Sequence, residues 1–154
     1  MSHSWKRTIS YLSYLILLLS VLLYGLKYQH HLEIISRETY EIKGYFLFQS
    51  FFPIFIGGIF AIPSIVKNFL TKGHWKINWL RLLILGLPFI YMSIIPILYF
   101  TEIIEFELPF STLVWGGYFG ADGSTTFNSI TGIIAGYIVL TSIRKPTDIQ
   151  RKTT

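Results

Sequence analysis

The chain has 154 residues, of which 52% are hydrophobic and only 14% charged, with a mean hydropathy of +0.53 and a net charge of +5. That balance excludes an ordinary soluble domain of this length, and the lack of cysteine excludes structural disulfides and thiolate metal sites. The basic residues form no aromatic-interleaved patch, so nucleic acid is not an expected partner.

The first apolar run, Ile9–Leu26, follows Lys6 and Arg7 in the manner of a secretory leader. It is longer than a leader's apolar core of ~7–15 residues, and no small-residue cleavage site follows it before Lys27. The expectation is a retained first span. Three further runs follow, Tyr45–Val66, Leu82–Phe100 and Phe127–Ile143, and none of the four contains Asp, Glu, Lys, Arg or His. Each approaches the ~20 residues that a helix needs to cross a bilayer core of ~30 Å. The predicted fold is therefore an all-α integral membrane protein. It is a single domain over 1–154, built as an antiparallel up-down bundle of four transmembrane helices.

Threading follows from the cations. With four spans, ten of the 13 Lys and Arg residues fall on the side that holds both termini and the 67–79 connection. Only Lys27, Arg37 and Lys43 fall on the other side, beside Glu33, Glu38 and Glu41. The excess of Lys and Arg on cytoplasmic loops then predicts a multi-pass protein of the plasma membrane with cytoplasmic termini. Trp5, Tyr28, Tyr45, Trp75, Trp79, Tyr99 and Phe100 lie at the expected membrane boundaries.

The two outer connections, 27–44 and 101–126, are longer than the inner one. Ile104-Glu105-Phe106-Glu107-Leu108 alternates apolar and acidic residues, as does Thr39-Tyr40-Glu41-Ile42-Lys43 with mixed charge. Period-2 alternation is the pattern of a half-buried strand. The prediction is a small β-sheet formed by the two outer loops, with Gly116, Gly117, Gly120 and Asp122-Gly123 as turn residues. The competing readings are an irregular loop with interfacial aromatics and, after it, a re-entrant dip over 108–121, admissible only where protein or water covers its backbone.

Within the spans, Pro53, Pro63, Pro88 and Pro96 each remove a backbone hydrogen bond and predict bends. Gly132 and Gly136 form a GxxxG, and Asn128 extends that stripe by one turn. Gly57 and Ala61 stand four apart in the second span. Small residues at this spacing let backbones approach where lipid gives helices no hydrophobic drive to associate. Gly57, Ala61, Asn128, Gly132 and Gly136 are thus the predicted helix-packing residues, serving the bundle itself or a seam with a partner or second copy.

Catalytic chemistry finds no purchase. His30, His31 and Glu33 cluster beyond the first span, but adjacent histidines on a helix diverge by ~100° and no HExxH or HxxxH spacing is present. Glu102, Glu105, Glu107 and Asp122 lack the spacing of a calcium loop. There is no GxSxG nucleophile elbow and no phosphate-cradling loop. No ionisable side chain lies inside a span, which removes the usual sign of a proton or ion path. The sequence thus predicts no catalytic residue, metal or cofactor. The expected role is a non-catalytic accessory, regulatory or protective subunit that touches another membrane component, with the lipid bilayer as its constant partner. A small channel or transporter subunit and an outer-face membrane enzyme are the alternatives, the first of which would depend on membrane positions such as Gln49 and Asn128.

Overall fold

The computed structural model describes residues 3–70, 74–100, 108–111 and 120–145. The chain divides into two compact units, residues 1–45 and 46–154.

The first unit is dominated by α1, His3–Thr39, a helix of 37 residues. At 1.5 Å per residue it is ~55 Å long, well beyond a bilayer core. The stretch 27–39, expected as loop, is helical because nothing in it breaks a helix. It has no Gly or Pro, and each residue added to an existing helix gains a hydrogen bond without a new nucleation cost. Arg37 Nη2 pairs with Glu33 Oε1 at 2.6 Å in the favourable i,i+4 order. The hydroxyls of Ser36 and Thr39 donate to the carbonyls of Glu33 and Ile35, both at 2.8 Å. The helix stops where Tyr40 takes φ 59°, the left-handed conformation that commonly ends helices. The amide of Glu41 donates to Thr39 Oγ1 at 3.3 Å, and the next helix begins at Lys43. The strand predicted over 39–43 is therefore a corner between two helices.

The second unit carries the remaining helices. α2, Lys43–Leu70, begins in the first unit, continues for 28 residues and contains Pro53 and Pro63 without interruption. A composite helix follows, made of α3 (Trp79–Arg81), a π-helical turn (Leu82–Gly86) and α4 (Leu87–Phe100). Asn78 starts it, its side-chain oxygen accepting the amide of Arg81 at 3.2 Å. In the π turn the amide of Leu87 reaches back five residues to the carbonyl of Leu82. Pro88 follows at once and has no amide of its own to offer. The last helix, α5, is Gly120–Ser142. It starts earlier than the predicted span and takes up Gly120 and Asp122-Gly123 in place of the turns that the sequence predicts there.

Three of these helices, Thr8–Thr39, Lys43–Leu70 and Trp79–Leu98, are long and apolar enough to cross a membrane. α5 is long enough but more polar, and its position explains this. Asn128, Thr131, Thr141 and Ser142 are buried on it, and among its described side chains Thr126, Ile130 and Tyr137 mark the exposed stripe. A helix enclosed by its neighbours can carry polar residues that bond within the fold.

A sheet exists, but at the opposite end of α2 from the one predicted. β1 (Lys76–Ile77) and β2 (Ile143–Arg144) pair antiparallel, with Lys76 opposite Arg144 and Ile77 opposite Ile143. The amide of Asn78 extends the ladder to the carbonyl of Ser142 at 2.9 Å. The alternating segment 104–108 lies outside the described residues apart from Leu108, as does most of 108–121.

Candidate functional site: the seam between α2 and α5

The stripes of small residues on α2 and α5 face each other. A Cβ added to Gly57 would collide with the backbone carbonyl of Ile133, and one added to Gly136 with that of Ile54. At Gly132 it would lie 2.8 Å from Pro53 Cβ. At Gly58 the nearest neighbour is a flexible atom, Leu140 Cδ1 at 3.2 Å. Contacts advance along both helices together, from Pro53 with Gly132 to Gly58 with Leu140, so α2 and α5 run parallel. Ala61 is completely buried one turn beyond Gly57. On its other side α5 meets the π turn, where Gly86 allows Ile138 Cγ2 to within 3.5 Å of a notional Cβ. The bond between Asn78 and Ser142 and the Gly86–Ile138 approach run in opposite chain directions, making the composite helix antiparallel to α5.

One turn towards the N-terminus of this glycine contact the seam changes character. Asn128 precedes Gly132 by four residues, and Gln49 precedes Pro53 by four, so the parallel register brings Asn128 to the level of Gln49 and Ser50. All three are more than nine-tenths buried, at 2%, 5% and 1% exposure. Among the described residues, Asn128 Oδ1 and Nδ2, Gln49 Oε1 and Ser50 Oγ have no hydrogen-bond partner. Other buried hydroxyls are satisfied within their own helices. Ser93 donates to Phe89 O at 2.8 Å, Thr141 to Tyr137 O at 2.7 Å and Ser142 to Ile138 O at 2.6 Å. A hydroxyl reaches its own i−4 carbonyl easily. The carboxamides of Asn and Gln are suited to bonding across helices. An unpaired buried polar group costs ~1–3 kcal/mol. This level of the seam therefore offers donors and acceptors in an otherwise apolar wall.

Gln49 and Ser50 were visible in the sequence only as polar residues inside a span. Their sharing a level with Asn128 depends on the relative register of two helices more than 70 residues apart, for which the sequence holds no local signal. Glu102, Glu105 and Glu107 lie outside the described residues, and the candidates on α1 do not gather into a site. Glu33 is engaged by Arg37 and lies 3.6 Å from His30 Nδ1 on an exposed helix surface. Among the described residues no three His, Asp or Glu side chains gather as a metal site would require.

Comparison of the chain with protein-family models, curated proteins and solved structures finds no match.

Proposed function

We propose that the chain is an integral protein of the plasma membrane with four transmembrane helices, cytoplasmic termini and a cytoplasmic 67–79 connection. It acts as a non-catalytic accessory, regulatory or protective subunit by contact with another membrane component. Three long apolar helices and the distribution of Lys and Arg support the embedding. The observation that carries the contact role is the meeting of Gly57 and Gly136 with opposing backbone carbonyls. So close a seam leaves no room for a solute between α2 and α5, and it makes the pair a rigid scaffold whose working surfaces face outwards.

The unpaired set of Gln49, Ser50 and Asn128 favours a second reading, a transporter or channel subunit that holds a polar group or water inside the bundle. One experiment separates the two. The full chain and its Asn128→Leu and Gln49→Leu variants are affinity-purified in mild detergent, co-purifying proteins are identified, and solute flux is measured in proteoliposomes. The contact reading expects a stoichiometric membrane partner retained by both variants. It fails if no partner co-purifies and both variants abolish a flux that the unaltered chain supports.

A further inference from the structure

The β1–β2 ladder places two cations directly opposite each other, Lys76 against Arg144. Directly opposed side chains in an antiparallel pair have Cβ atoms only ~4.5–5.5 Å apart, and like charges there are destabilising. The sequence has no acidic residue between Glu41 and Glu102 or between Asp122 and Asp148. Among the described residues no carboxylate pairs with Lys76 or Arg144. Arg81 lies one helical turn from the ladder, and Lys145 follows Arg144 directly. A two-stranded ribbon is marginally stable even without repulsion across it. An external anion would relieve that repulsion.

The other face of the ribbon is apolar. Ile143, paired with Ile77, lines an open cleft of ≈ 260 Å³ together with Ile65, Phe69, Trp75 and Leu140. Phe69 and Trp75 meet edge to face with ring centroids 4.9 Å apart. Lys145 Nζ stands at the rim, 4.9 Å from the Trp75 ring centroid and 6.0 Å from that of Phe69. Lys145 is thus the cation on the cleft side, while Lys76 and Arg144 project from the reverse face of the same short ribbon, close enough for their charge to act at the cleft mouth.

We propose that this end of the bundle is a binding site for one anionic phospholipid, with an acyl chain in the cleft, Lys145 against the phosphate at the rim, and Lys76 and Arg144 adding attraction from the reverse face of the ribbon. The inference rests on the membrane reading above and deepens it by naming a lipid partner. Charge complementarity selects an anionic headgroup over a zwitterionic one, and the cleft selects a lipid over a free anion. Juxtamembrane cations act on anionic lipid at ~1 kcal/mol each, or about five-fold in affinity per charge.

The test is native mass spectrometry of the detergent-solubilised full chain with dioleoylphosphatidylglycerol, dioleoylphosphatidylcholine and inorganic phosphate as separate probes. The expected result is one tightly held phosphatidylglycerol, weak phosphatidylcholine and no retained phosphate. The double variant Lys76→Gln/Arg144→Gln should bind phosphatidylglycerol about 25-fold more weakly. Phe69→Ala, at an exposed cleft position, should weaken both lipids. The charge-matched variant Lys27→Gln/Lys43→Gln should change nothing. Equal binding of the two lipids overturns the proposal, as does an equal loss in both double variants, which would mean that only net charge matters. Retention of phosphate as tightly as lipid would reassign the site to a free anion and overturn the lipid claim. The embedding is judged separately by alkaline extraction of membranes: release without detergent sinks the membrane reading whatever the lipid preference.

Discussion

At the scale of single residues, four glycines on one helix pair or its flank occupy graded environments, and the grading predicts a mutational order. Gly44 has nothing within 4 Å of a notional Cβ, Gly58 has a movable leucine methyl, and Gly57 and Gly136 have backbone carbonyls. Gly44→Ala should stabilise the helix by up to ~1 kcal/mol, since alanine loses less backbone entropy. Gly58→Ala should be near neutral, because Leu140 can change rotamer. Gly57→Ala and Gly136→Ala should each destabilise by ~1–3 kcal/mol or more, because a backbone cannot yield as a side chain does. Unfolding in mixed micelles with increasing denaturing detergent measures all four. Equal tolerance at all four positions would show that the seam is not closely packed. Asn128→Leu belongs to the same series with the opposite sign. It removes unpaired polar atoms from a buried position and should leave stability unchanged or higher.

At the scale of elements, α1 and the composite helix show what local sequence controls and where it stops. α1 ends where Tyr40 adopts a positive φ and Thr39 caps the corner, a device of three residues with no strong signature. The alternation over 39–43 looked like a strand because five residues are too few to separate period 2 from a helix end. The composite helix starts at Asn78, whose side chain caps Arg81 and whose amide holds Ser142 of α5. Asn78→Ala keeps the amide bond and removes the cap, so it should cost ~0.5–2 kcal/mol. Asn78→Asp keeps an acceptor and should cost less. Thermal unfolding of the purified protein in detergent reads both, and an Ala variant as stable as the original would mean that the cap contributes nothing.

At the scale of the whole molecule, the prediction is the threading. A cysteine at His74, exposed in the connection between α2 and α3, should be labelled only by reagents that enter the cytoplasm. A cysteine at Tyr40, exposed at the corner between α1 and α2, should react with impermeant maleimide on intact cells. The reverse pattern would invert the topology and move the Lys76–Arg144 ladder to the outer face. The ladder's position makes this informative, because it ties the ends of α2, α3 and α5 together where the cations concentrate.

Hydropathy and length by themselves marked the apolar helices, since a charge-free run of about 20 residues can pair its backbone within itself as a helix. What a glycine's missing side chain permits depends on what faces it: open space at Gly44, a leucine methyl at Gly58, and backbone carbonyls at Gly57 and Gly136. Ends and partners were decided only in three dimensions. Where α1 stops depends on one residue's φ, and which strands pair depends on which helix ends come together. The polarity of α5 became intelligible once α2 and the π turn were seen on either side of it. That Gln49, Ser50 and Asn128 share one level of the seam follows from a register between distant helices, set by Gly57 against Ile133 and Gly136 against Ile54. Local propensity acts within a few residues along the chain, whereas register is a property of two surfaces in contact.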